Sequence, residues 1–259
     1  MSSLKTPAHT KVTADKQNSK LLEIINLGAS IEGKKILQDI SYSFVKDKVY
    51  AIMGPNGSGK STFAHVLMGN PLYKLSTGSK IIFKGKEISQ LGPDKRSKRG
   101  IFMSFQSPIA LSGVSVYELL KTSLNEDKMD ISTLKEKVNT IARKLDIEQE
   151  LLERPLNEGA SGGERKKLEL LQSAVLDKEL IILDEIDTGV DVDALKNISS
   201  FINTHKKAKT YILITHYNRI LEYIKPDEVL IMQKGRIVMS DGPDLALQVE
   251  KKGYTKLLK

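Results

Sequence analysis

The stretch GPNGSGKST at 54–62 sets three spaced glycines ahead of a lysine and two hydroxyls, in the pattern G-x-x-x-x-G-K-[ST]. Gly54, Gly57 and Gly59 allow a short loop to curl until its N–H groups converge on phosphate oxygens. Pro55, Asn56 and Ser58 fill the turn between them, and Thr62 continues into a helix whose N-terminus favours anions. Lys60 would reach the β and γ phosphates, and Ser61 would place its hydroxyl on Mg2+. A second constellation is the acid pair Asp184 and Glu185, delivered by the apolar run at 180–183. Adjacent acids at the carboxyl end of a buried strand can divide the work: Asp184 holds Mg2+, and Glu185 orients or deprotonates the water that attacks in line. Together these residue types, at this spacing, point to binding and hydrolysis of a nucleoside triphosphate as the expected chemistry. The N-K-x-D pattern that reads guanine is absent from the chain.

The elements that must position these groups are legible around them. The apolar run at 48–53 predicts a buried strand into the glycine loop, and Phe63, Val66 and Leu67 carry helical spacing after it. Ser161, followed by two glycines and Glu164, caps a predicted helix that continues through Leu168, Leu171 and Val175. Runs at 101–105 and 211–215 predict strands that end just before Gln106 and His216. Segments 21–27 and 36–45 suggest antiparallel strands joined by a turn at 32–34, and helical periodicity dominates 114–175. Helix and strand then alternate: 192–202, 211–215, 220–224 and 229–232, with Lys234-Gly235 turning the chain into 236–239. The expectation is an α/β fold, a mainly parallel core with an antiparallel β subdomain and an inserted helical subdomain.

The series GPNGSGKST, Gln106, ASGGE at 160–164, LIILDE at 180–185 and ITH at 214–216 resembles the ATPase domain of the ATP-binding cassette superfamily in order and spacing. The resemblance implies a P-loop NTPase fold and ATP with Mg2+ as ligands. It makes Gln106 a sensor of Mg2+ and partner, and His216 a donor to the γ phosphate. It also implies that Ser161, Gly162, Gly163 and Glu164 bind the ATP of an opposed subunit, so that two chains close head to tail. By spacing, the place where the superfamily often stacks an aromatic on adenine falls near Ile31.

Further segments narrow the resemblance to the SUF iron–sulfur cluster assembly ATPases. FQSPIALSGVS at 105–115, LNEGASGGERKKLELLQ at 156–172, LDEIDTGVDVDALK at 183–196 and the region 215–254 are similar to that family. Asp187 and Asp191 are then placed in the loop facing the second subunit. The implied function is an ATPase that reshapes SufB-like and SufD-like scaffold proteins through an ATP-dependent homodimer. The alternative is the ATPase subunit of an ABC membrane transporter, which would use the same motifs.

Composition bounds the partners. At 259 residues, the expectation is a single domain over 20–259, with the helical subdomain at about 107–175. Residues 1–19 are polar with one acid and are expected to be a flexible tail. The chain has no cysteine, which removes disulfides, thiolate ligands and sulfur nucleophiles and suits a reducing, cytoplasmic setting. The tail lacks arginine and an apolar face, features of a plastid transit peptide, which is the alternative location. No apolar run reaches the roughly 20 residues of a membrane span, so no direct membrane insertion is expected. The net charge of +8 is dispersed and lacks stacking aromatics, so no nucleic-acid partner is expected.

Overall fold

The computed structural model describes residues 20–106, 108–124, 130–215 and 219–257. The tail at 1–19 and His216 lie outside the described residues.

A six-stranded sheet runs in the order Arg236–Asp241, Glu228–Gln233, Val49–Met53, Thr210–Ile214, Leu180–Asp184, Ile101–Met103. All its pairings are parallel except that of the edge strand Arg236–Asp241 with its neighbour. Every residue of Val49–Met53, Leu180–Asp184 and Thr210–Ile214 is buried. Strands covered on both faces need such continuous apolar runs. Side chains alternate between the faces, so the sheet separates two cores. Ala51, Met53, Leu183, Leu213 and Ile231 face the helical region, whereas Tyr50, Ile52, Ile182, Ile214 and Met232 face the phosphate-loop helix and the antiparallel sheet.

That antiparallel sheet is built on the long hairpin Lys20–Ile31 and Lys34–Val45, extended by Lys80–Phe83 and Lys86–Glu87, with Lys74–Leu75 pairing the first strand. Glu32 and Gly33 turn the hairpin with φ of 50° and 80°, the positive pair of a type I′ turn. The Lys234-Gly235 turn ties this sheet to the phosphate loop: Gly235 N–H donates to Ser58 C=O at 2.9 Å, and Gln38 N–H donates to Gly235 C=O at 2.9 Å.

The phosphate-loop helix Lys60–Met68 is held at its far end by Arg96, which is 1% exposed. Its guanidinium donates to the carbonyls of Val66, Leu67, Ser89 and Leu91, and burial lowers its pKa to about 10. A cation spread over helix-end carbonyls complements the dipole there.

The helical region comprises Val116–Ser123, Ile131–Leu145, Gln149–Glu153 and Gly162–Val175. Ile131–Leu145 buries Leu134, Val138, Ile141, Ala142 and Leu145, the three-to-four spacing of an amphipathic helix, and Asp130 caps it by accepting from Thr133 N–H. A short strand pair, Leu111–Ser115 with Pro155–Leu156, interrupts the helical reading of 114–175. Residues distant in sequence make that pairing, so local periodicity could not announce it.

Candidate nucleotide site

The strand Val49–Met53 delivers the glycine loop to a cavity of about 1010 Å³. Its lining includes Gly54, Pro55, Asn56, Gly57, Gly59, Lys60, Ser61, Thr62 and Glu185. Gly57 and Gly59 have φ of 73° and 102°, left-handed conformations that a β carbon would strain. Lys34, Lys35, Lys60 and Lys234 surround the cavity, and among the described residues Glu185 is its sole lining acid, a field that attracts a triphosphate.

Lys60 is 4% exposed, and its Nζ donates to Gly54 C=O at 2.8 Å and Pro55 C=O at 3.2 Å. Burial lowers its pKa to about 8, against the opposing attraction of Asp184 and Glu185. Asp184 is 1% exposed, and burial pushes its carboxyl upward. Its N–H donates to Ser104 Oγ at 3.0 Å, and its Oδ1 accepts from Ser61 Oγ at 3.4 Å. Its Oδ2 is buried with no hydrogen-bond partner among the described residues. A buried carboxylate with one oxygen open beside a serine hydroxyl fits a hard divalent cation such as Mg2+.

Glu185 follows the strand in a left-handed conformation, with φ of 50°, and its N–H donates to Ile214 C=O at 2.9 Å. This turns its carboxylate out of the strand alternation into the cavity. Gln106 Nε2 donates to Glu185 Oε2 at 2.9 Å, so two residues distant in sequence meet at one carboxylate. The strand Thr210–Ile214, which leads toward His216, lies between the phosphate-loop strand and the Asp184 strand.

The serine-glycine-glycine segment is built differently. Ser161 caps Gly162–Val175 by a reciprocal pair: Glu164 N–H donates to Ser161 Oγ at 3.3 Å, and Ser161 N–H donates to Glu164 Oε2 at 2.6 Å. Those bonds hold the Glu164 carboxyl below its usual range. None of Ser161, Gly162, Gly163 and Glu164 lines the cavity of its own chain. A β carbon on Gly162 would stand 2.3 Å from Gly189 O, so the helix start packs directly on the loop after Glu185. Asp187 in that loop is 7% exposed and accepts from Thr215 Oγ1 at 2.9 Å. Asp191 caps Val192–His205 by accepting from the N–H groups of Asp193 and Ala194.

Two features escaped the sequence reading. Lys166 and Glu169 are each 4% exposed on the Gly162–Val175 helix and grip the backbone of one residue of the opposite loop, through its N–H and its C=O. Glu169 Oε1 accepts from Phe105 N–H at 2.6 Å, Lys166 Nζ donates to Phe105 C=O at 2.7 Å, and the two charges lie 3.4 Å apart. The other is one wall of the cavity. Lys34, Lys35 and Ile36 on the returning strand of the hairpin line the cavity, and Ile31 does not.

The model of the ABC transporter family matches residues 37–188. The chain is 46% identical over 245 residues to the probable ATP-dependent transporter ycf16 of Trieres chinensis, covering 92% of this chain and 97% of that one. It is 43% identical over 245 residues to the probable ATP-dependent transporter SufC of Escherichia coli, covering 90% and 97%. Among solved structures, the ADP conformation of an ATP-binding cassette from an ABC transporter superposes with a TM-score of 0.75 at 26% identity, covering 92% of this chain and 97% of that one. With a phosphate loop, an acid pair and a matching fold around one cavity, the chain belongs to the ATP-binding cassette family, in the group that includes SufC, and is an ATP-hydrolysing enzyme.

Proposed function

We propose that this ATPase drives a SUF iron–sulfur cluster assembly complex, closing head to tail on ATP and so reshaping SufB-like and SufD-like scaffolds. The observation that carries the partner reading is the surface beside the Glu185–Gln106 pair. Phe105, Ile109 and Leu111 are exposed at 61%, 68% and 37%, an apolar ridge adjoining the residue that holds Glu185. Such a ridge suits a docking protein whose movement reaches the hydrolytic carboxylate through one residue. The likeness to SufC over 90% of the chain supports the choice of scaffold.

In this reading the glycine loop and Lys60 hold the phosphates, and Ser61 and Asp184 hold Mg2+, which supplies charge neutralisation when bound. Gln106 holds Glu185, which takes the proton of the attacking water, and His216 donates to the γ phosphate. Ser161, Gly162 and Gly163 present a helix N-terminus to the nucleotide of a second copy, and the loop carrying Asp187 and Asp191 lies at that junction. Their absence from the cavity of their own chain supports completion in trans. We read 20–259 as one domain, because the helical subdomain shares a core with the central sheet.

The transporter reading stands second, since the relatives carry the words ATP-dependent transporter. No helix among the described residues is long and apolar enough to cross a membrane. Affinity purification of the tagged protein from its own cells, with mass spectrometry, separates the two. Scaffold proteins of the SUF type support assembly; a polytopic membrane protein in their place refutes it.

A further inference from the structure

One wall of the nucleotide cavity comes from no motif. Tyr254 lines it, from the last turn of Asp244–Leu257. That helix is broken at Gly253, whose φ of 70° and ψ of 159° redirect the chain in a conformation open chiefly to glycine. Leu245, Ala246 and Val249 anchor the turns before the break, and the Tyr254 ring packs against the core that contains Met53. The hydroxyl is buried and faces the backbone N–H of Gly54 without reaching hydrogen-bond geometry. Burial raises its pKa, which keeps it neutral.

Gly54 is also where the loop must readjust. Its carbonyl accepts from Lys60 Nζ at 2.8 Å, and Pro55 C=O shares that ammonium at 3.2 Å. Phosphate oxygens compete for the same ammonium, so the peptides at the start of the loop lose part of their anchor when nucleotide enters. Tyr254 is the side chain already seated against Gly54 with hydrogen-bonding capacity unspent.

We propose that Tyr254 is a positioning residue of the nucleotide site, whose hydroxyl takes up the Gly54 N–H as Lys60 turns to the phosphates. Nucleotide binding and seating of the turn at 253–257 are then coupled, and the coupling is reciprocal.

The test uses the full chain with Tyr254→Phe, which keeps the ring and removes only the hydroxyl. ADP titration by calorimetry should show affinity weakened by about three- to tenfold, the worth of one net hydrogen bond, with thermal stability unchanged. Hydrogen exchange at 253–257 should slow on adding ADP to the wild-type chain, and slow less in the variant. Unchanged ADP affinity, an exchange rate indifferent to ADP, or an affinity loss matched by a fall in Tm would each overturn the proposal. The proposal rests on the phosphate-loop reading, which Lys60→Ala tests separately. If that variant kept full ADP affinity, the loop assignment itself would fall; if it lost affinity while Tyr254→Phe did not, only the tyrosine's role would.

Discussion

Glu169→Ala should be among the costliest single changes outside the nucleotide cavity. It removes the acceptor of Phe105 N–H, held at 2.6 Å, and takes the ion-pair partner from the Lys166 ammonium, which is 4% exposed and keeps its hydrogen bond to Phe105 C=O. Breaking a buried ion pair from one side costs about 3–5 kcal/mol. In a domain of this size, each kcal/mol lowers Tm by roughly 2–4 °C, so scanning calorimetry should record a drop of about 6–20 °C. Lys166→Met on the same background removes the stranded charge, and the double variant should lose about 1–3 kcal/mol less than the sum of the two singles. Because Phe105 adjoins Gln106, whose amide holds Glu185, kcat should fall more than nucleotide affinity. A loss within about 0.5 kcal/mol for Glu169→Ala, the range of a surface substitution, or strictly additive singles, would refute the reasoning.

Lys60 makes the nucleotide-free protein respond to pH in a defined direction. Its folded pKa of about 8 lies below the ordinary 10.5, so the unfolded chain binds more protons between those values. The Lys60 contribution to stability therefore rises with pH across that window, while ATP affinity falls above pH 8 as the ammonium is lost. Titrations at stepped pH check this, and Lys60→Ala should show no such fall. Gly162→Ala places a β carbon 2.3 Å from Gly189 O and should cost about 1–3 kcal/mol in thermal unfolding; a Tm within about 1 °C of wild type would show that the loop yields freely.

The central sheet was legible because strands covered on both faces must be continuously apolar, and the runs around Ile52, Ile182 and Ile212 are. The long hairpin was legible for the opposite reason, its turn demanding positive φ at Glu32 and Gly33. Long-range pairing hid the rest. Leu111–Ser115 becomes a strand only because Pro155–Leu156 lies beside it, and Tyr254 reaches the nucleotide cavity from some two hundred residues beyond Gly54. Lys166 and Glu169 look like surface charges until the backbone of Phe105 is placed between them. Asp187 adds a contact of the same kind: its bond to Thr215 Oγ1 joins residues 28 positions apart.

The most direct test of a hydrolytic site completed by a second copy is the mass of Glu185→Gln in ATP and Mg2+, read by size-exclusion chromatography with light scattering. The substitution keeps the phosphate loop and the Ser161 helix start while removing the carboxylate that takes the water's proton. The account predicts a species of twice the monomer mass that retains ATP and reverts when nucleotide is withdrawn. A variant that binds ATP yet stays monomeric at every concentration tested would contradict it.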